Sequence, residues 1–264
     1  MANTLSAAAD SAGRARDISA AANAIVEARR SAHPVAAVPL PDADASYAVQ
    51  DEVARVLRWF DDEGPGTWKT GVAPAPLQRA HSRLPAAGIW RSPAVAGNWP
   101  FTLRGIEAEV ALRIAQDVPA TLAARLGDAH AAALVDAMCV SIEIVDSRWT
   151  EGTRAPLLDV VADLQSHGAL VLGDWVPFAP RDWSTQLCLV RIGQRPPVER
   201  RGSHALGDPA RLLADWMRHV TRNGHTLPAG TVVTTGSWVG ILDAAAGDGV
   251  AAEFPGIGAA RVQL

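Results

Sequence analysis

The stretch Ile106-Glu107-Ala108-Glu109-Val110-Ala111-Leu112-Arg113-Ile114 places apolar residues at 106, 108, 110, 112 and 114, and both glutamates in the alternate set. A period of two belongs to a strand, on which Glu107 and Glu109 project from one face with Cα atoms about 6.5 to 7 Å apart. On a helix the same two side chains would diverge by about 200°. Two like charges on one face repel unless something positive lies between them, and a hard divalent cation with oxygen ligands meets that need. The competing reading is the solvated outer face of an edge strand.

A third carboxylate bears on that choice. Ser141-Ile142-Glu143-Ile144-Val145 sets Glu143 inside an apolar strand, where an ionised side chain needs a partner. A cation shared with Glu107 and Glu109 is one such partner; an arginine such as Arg148 is the other. Asp146, Ser147 and Arg148 follow directly, with Asp146 also readable as a turn or cap residue. Asp159, Asp163, Ser166, His167 and Gly168 form a polar cluster before the apolar run Ala169 to Leu172, a position from which loop side chains reach a site. Lys69 stands in Gly66-Thr67-Trp68-Lys69-Thr70-Gly71, in a chain whose basic positions are mostly arginine. Lysine shifts its pKa and moves a proton where arginine does not, although an exposed strand lysine is the plainer alternative.

Working outward, 264 residues that are 48% hydrophobic and 20% charged make a globular chain able to bury a large core. A net charge of −4 without a basic block gives nucleic acid no electrostatic footing, and no apolar run approaches the ~18 residues of a membrane span. A soluble cytoplasmic protein with a small-molecule ligand is expected. Asp10 and Asp17 interrupt the Ala- and Arg-rich start, which reads as a mature, partly frayed segment rather than a transit peptide. Cys139 and Cys188 sit in apolar stretches as reduced core thiols.

Helical patterns are expected at Ile18 to Arg30, Asp44 to Phe60, Ala129 to Met138 and Pro209 to Arg222, the last with Asp208 as N-cap and Asn223-Gly224 as stop. Pro34, Pro39 and Pro41 make a linker between the first two. Strands are expected at Thr67 to Val72, Ile106 to Ile114, Ser141 to Val145, Ala169 to Leu172, Leu187 to Ile192, Thr231 to Thr235 and Val250 to Phe254. The segment from Pro74 to Pro100 reads as an irregular loop over the site. Strands and helices do not alternate regularly, so the expectation is α+β with a curved mixed sheet rather than a doubly wound fold. Residues 1–65 form a helical N-terminal segment packed on a main domain of residues 66–264. Phosphate-loop, dinucleotide, His-Glu-x-x-His and Cys-x-x-Cys motifs are absent, and the seven histidines lack ligand spacing.

Taken in succession, Ser46-Tyr47-Ala48-Val49-Gln50, Trp68-Lys69-Thr70-Gly71, Glu107-Ala108-Glu109, Ile142 to Arg148, Ala162-Asp163 with Ser166-His167-Gly168 through Gly173, and Gly230 to Ser237 resemble the 2-oxopent-4-enoate hydratase and 4-oxalocrotonate decarboxylase group of the fumarylacetoacetate hydrolase superfamily. The resemblance spans residues 40 to 264. It implies the mixed β-roll of that superfamily, Mg²⁺ or Mn²⁺ held by Glu107, Glu109 and Glu143, and a homo-oligomer acting on a 2-oxo or 2-hydroxydienoic acid. It also implies catalytic positions at Lys69, Asp146, Ser166 and His167. The chain departs from the pattern at Leu164, where the group has Asn, at His167, where it has a second Ser, and at Leu84-Pro85-Ala86-Ala87-Gly88, where an acid often precedes the Gly. Hydration of a 2-hydroxypenta-2,4-dienoate in aromatic meta-cleavage catabolism is the expected reaction. The sister 2-oxo acid decarboxylase and a non-catalytic binding or scaffolding subunit are the alternatives.

Overall fold

The computed structural model describes residues 2–60, 64–73 and 79–264, residues 2–11 by their backbone alone. In chain order the elements are α1 (Ala2–Ser31), α2 (Ala43–Leu57), β1 (Thr67–Val72), β2 (Arg79–Leu84), β3 (Ile89–Arg91), β4 (Ala94–Val95), β5 (Gly105–Ile114), α3 (Ala120–Ala123), α4 (Asp128–Ala132), β6 (Val135–Val145), α5 (Leu157–Ala162), β7 (His167–Leu172), β8 (Val176–Pro177), β9 (Leu187–Ile192), β10 (Val198–Arg201), α6 (Leu213–Val220), β11 (Val232–Thr234), β12 (Leu242–Asp243), β13 (Gly249–Phe254) and β14 (Gly258–Gln263). They fall into two compact units. One comprises residues 1–62, 100–103 and 146–167, the other residues 63–99, 104–145 and 168–264.

The first unit is helical. Its core joins Ala21, Ala22 and Ile25 of α1 to Val49 and Val53 of α2 and to Trp149. Asp42 caps α2 by accepting from Ala45 N at 2.9 Å, satisfying one of the free amides of the first turn. Ser46 and Gln50, one turn apart on α2, donate to the carbonyls of Leu158 and Val161 on α5 at 2.9 and 2.6 Å. The proline segment after α1 is more than a linker, because Val35 bridges to Trp149 in parallel. The N-terminal stretch read as frayed is continuous helix from Ala2.

The second unit is the mixed β-roll. Its larger sheet runs β2-β1-β11-β5-β6-β7-β3, with β12 on β5 and β8 on β6; the smaller runs β10-β9-β13-β14-β4. The pairings β1/β11, β3/β7 and β14/β4 are parallel, the antiparallel ones including β5/β6 and β13/β14. β5 lies between β11 and β6 and is buried on both faces, which removes the solvated edge-strand reading of its glutamates. Ile106, Ala108, Val110 and Leu112 pair with Ile144, Ile142, Val140 and Met138, forming an apolar sheet face that is inaccessible to solvent.

Two expectations are corrected here. Ala129 to Met138 is helical only over Asp128–Ala132 and becomes strand from Val135. The Ala-rich composition favours helix locally, but ladder bonds along the whole of β5 and burial of Val135, Ala137 and Met138 outweigh that small propensity. The segment 74–100 is not an irregular loop: it holds β2, β3 and β4, with residues 74–78 outside the described residues. Its strands are short and lack clean alternation, and pairing with β1, β7 and β14 makes them strands. The capped segment after Asp208 starts as a 3-10 turn over Pro209–Leu212 and becomes α6, with Asp208 accepting from Ala210 N at 2.9 Å.

Candidate metal centre

Register alone brings the second unit's polar side chains to one sheet face. Glu107 is directly opposite Glu143, and Glu109 opposite Ser141, across β5 and β6. Thr234 of β11 is opposite Ala111, which shares the face of the two glutamates, and Lys69 of β1 is opposite Thr234. Glu109, Glu143 and Lys69 are buried, and Glu107 is partly exposed.

One carboxylate oxygen from each of Glu107, Glu109 and Glu143 lies within 4.8 Å of the others. That spacing suits a single divalent cation with oxygen ligands about 2.0 to 2.6 Å away. Lys69 Nζ donates to Glu143 Oε1 at 2.6 Å. With all three carboxylates ionised and Lys69 charged, the cluster carries two net negative charges, the charge a divalent ion neutralises. Glu109 Oε2 accepts from the Thr234 hydroxyl and from Gly236 N, the latter at 3.0 Å. Ser141 Oγ is 3.0 Å from Thr234 Oγ1, so with Ser141 donating, the hydroxyls form a chain that ends on Glu109.

Burial, with repulsion from the other two carboxylates, pushes Glu107 up to about 8. Burial and Glu143 push Glu109 up to about 7, although Lys69, Thr234 and Gly236 oppose the shift. For Lys69 burial acts downward, but the three carboxylates outweigh it and its pKa is raised. Burial and mutual repulsion thus favour the protonated forms of Glu107 and Glu109, as crowding of carboxylates in a buried site does in general.

The structure brings Lys69, Glu107, Glu109 and Glu143 together and places Asp146, Ser166 and His167 in the first unit. Asp146 Oδ1 accepts from Thr102 N, Thr102 Oγ1 and Leu103 N at 3.0, 2.7 and 2.6 Å. Arg148, a proposed partner of Glu143 in sequence, instead donates from Nε to Asp163 Oδ1 at 2.5 Å. Ser166 ends a run of three left-handed residues, Leu164, Gln165 and Ser166, with φ of 51°, 56° and 56°. Non-glycine residues rarely hold that conformation without being over-determined by their surroundings. Ser166 Oγ is buried with no hydrogen-bond partner among the described residues, and His167 is 1% exposed. Ser141, Thr234 and Gly236 carried no role in the sequence reading. Ser141 nevertheless lies two residues before Glu143 and so on the same strand face, and Thr234 and Gly236 fall within the Gly230 to Ser237 stretch that carries the family resemblance.

Residues 86–264 match the fumarylacetoacetate (FAA) hydrolase C-terminal family. A 2-keto-4-pentenoate hydratase of Burkholderia vietnamiensis is 31% identical over 84% of this chain and 86% of its own length. The 2-keto-4-pentenoate hydratase 1 of Dechloromonas aromatica is 33% identical over 83% of this chain and 84% of its own. Among solved structures, 4-oxalocrotonate decarboxylase from Pseudomonas putida G7, complexed with magnesium and adipate, superimposes with a TM-score of 0.79 at 20% identity, covering 95% of this chain and 97% of that one. The β-roll and the matched residues together make this chain a member of the fumarylacetoacetate hydrolase family.

Proposed function

We propose that this protein is a divalent-metal-dependent hydro-lyase. It adds water to a 2-hydroxypenta-2,4-dienoate-type substrate to give a 4-hydroxy-2-oxo acid in aromatic meta-cleavage catabolism. The observation that carries the reading is the convergence of Glu107, Glu109 and Glu143 beside the buried ammonium of Lys69. Support for hydration comes from relatives named 2-keto-4-pentenoate hydratase that align over most of the chain.

Glu107, Glu109 and Glu143 are the proposed ligands of Mg²⁺ or Mn²⁺; magnesium accompanies the decarboxylase of the same fold. When bound, such a cation supplies Lewis-acid stabilisation of the negative charge that develops on a 2-oxo acid. The chain's own groups do the rest. Lys69, kept protonated by its carboxylate neighbours, presents a positive charge to the substrate carboxylate and a proton to its reacting end. Thr234 and Gly236 hold Glu109 in one orientation. For Asp146, Ser166 and His167 we propose roles in proton handling and water activation. Of the three, His167 carries the imidazole, with one ring nitrogen that can accept a proton while the other donates one.

No helix among the described residues is long and apolar enough to cross a membrane. We place the protein in the cytoplasm, as the two buried free cysteines fit a reducing compartment, and as a homo-oligomer on the family resemblance. The deciding experiment incubates the Mg²⁺-loaded protein separately with 2-hydroxypenta-2,4-dienoate and with a 2-oxo-hexenedioate, following dienol absorbance and released CO₂. A 4-hydroxy-2-oxo acid from the dienoate supports the proposal. CO₂ from the dicarboxylate without hydrated product assigns the decarboxylase instead, and no reaction with either favours a non-catalytic binding role.

A further inference from the structure

The second unit contains a buried histidine that the proposed chemistry does not use. His204 is 5% exposed; its Nε2 lies 2.8 Å from the Thr235 carbonyl oxygen, and its Nδ1 lies 3.3 Å from Leu206 N. These partners settle the tautomer. A carbonyl only accepts, so Nε2 carries the hydrogen; a backbone N–H only donates, so Nδ1 is bare. The ring is a neutral imidazole with both nitrogens engaged, and burial lowers its pKa further from the range where it would charge.

Its neighbour in sequence acts on the same segment. Ser203 Oγ donates to the Trp238 carbonyl at 2.6 Å, so two consecutive side chains hold the two carbonyls that bracket Gly236 and Ser237. From the other side β5 holds the same segment, with Thr235 Oγ1 donating to Val110 O at 2.7 Å and Trp238 N to Ala108 O at 2.9 Å. Between these four ties Gly236 adopts φ +104°, a conformation open to glycine and costly to other residues. That geometry aims its N–H at Glu109 Oε2. The strap bearing His204 is itself anchored. Gly202 N donates to Gln186 O at 2.9 Å, and a Cβ at Gly202 would come within 2.2 Å of Ser184 O.

We infer that His204 is a positioning residue for the carboxylate cluster: it fixes the Thr235 peptide, and through it the Thr234 and Gly236 donors that orient Glu109. The inference rests on the metal reading above for its consequence, but the tether itself exists without metal. The plain alternative is that His204 only fills space against Trp238, whose ring centre is 5.6 Å away. Two variants separate the two. His204→Phe keeps an aromatic ring and loses both hydrogen bonds, whereas His204→Gln keeps one donor and one acceptor.

The first measurement is hydrogen exchange on metal-free protein. His204→Phe is expected to speed exchange of the Gly236 amide at least about tenfold, and His204→Gln to restore it toward wild type. The second is calorimetric titration with Mn²⁺, where His204→Phe is expected to bind about 10- to 100-fold more weakly than wild type and His204→Gln within a few-fold of it. Should His204→Phe fail to fold, Ser203→Ala, which releases only the Trp238 tie, is expected to show a smaller change in the same direction in both measurements. Wild-type exchange and Mn²⁺ affinity in His204→Phe, or in Ser203→Ala where that variant stands in for it, would overturn the inference. A wild-type protein that binds no Mn²⁺ would sink the metal reading and the ligand-orienting half of this inference, leaving the exchange result to decide the tether.

Discussion

Lys69 and Glu143 form a buried ion pair at 2.6 Å although their strands, β1 and β6, are separated in the sheet by β11 and β5. In a flat sheet three strand spacings would put them about 14 Å apart. The long side chains of Lys69 and Glu143 meet across that span, close enough to Glu107 and Glu109 for their charges to act on the ammonium. The charge balance of the site therefore depends on a contact across three strand spacings of the sheet.

Replacing Lys69 by Met leaves Glu143 buried beside two other carboxylates with its ammonium gone. Removing one partner of a buried pair typically costs about 3 to 5 kcal/mol. Metal-free Lys69→Met is expected to be destabilised on that order in a denaturant titration, with saturating Mg²⁺ recovering most of the loss. Turnover should fall at least about a hundredfold even in metal-loaded protein, because the proposed proton donor is missing. A metal-free variant as stable as wild type would show that Glu143 does not depend on Lys69.

Glu107→Gln and Glu109→Gln each remove one negative charge from the proposed ligand set while preserving shape. Mn²⁺ affinity is expected to drop at least about a hundredfold in each, with turnover following it. The metal-free proteins should fold, and be no less stable than wild type, since each change relieves like-charge repulsion. Calorimetric titration beside thermal melts checks both halves. Undiminished Mn²⁺ binding by both variants would return the glutamates to a purely structural role.

The raised carboxylates give the metal-free protein a pH signature. With Glu107 near 8 and Glu109 near 7, against about 4.3 for an unfolded glutamate, the folded state holds more protons than the unfolded one. The stability they contribute is complete below about pH 4 and is lost as pH rises through 7 to 8. Protons also compete with metal, so Mg²⁺ should raise the melting temperature far more at pH 8.5 than at pH 5.5. An equal Mg²⁺ effect at the two pH values would contradict these shifts.

Asp159, in the first turn of α5, is inaccessible to solvent, and neither of its carboxyl oxygens has a hydrogen-bond partner among the described residues. Burial raises its pKa to about 6, and the charge of Glu151 adds to the rise. Stability tied to this proton is present below about pH 4 and is lost as pH rises through 6. Asp159→Asn cannot ionise, and is expected to exceed wild type by about 2 kcal/mol at pH 8, with the gap narrowing toward pH 4. Denaturant midpoints at the two pH values test this; a gap that does not change with pH would mean that folding does not raise the Asp159 pKa.

What the sequence by itself determined is what depends on neighbours in the chain. The period of two over Ile106 to Ile114 put Glu107 and Glu109 on one strand face, the apolar frame of Glu143 marked it as needing a partner, and Asp208 with Pro209 marked a helical start. Such signals survive because strand alternation and end-capping act over two to four residues. Only the tertiary structure decided that β5 is an interior strand, that Val135 to Met138 extend β6 instead of a helix, and that Lys69 meets Glu143. The site's deciding contacts join residues 74, 125 and 127 positions apart. No local pattern encodes which strands become neighbours; that follows from burying two apolar sheet faces in one curled roll, and the roll sets which side chains surround Glu109.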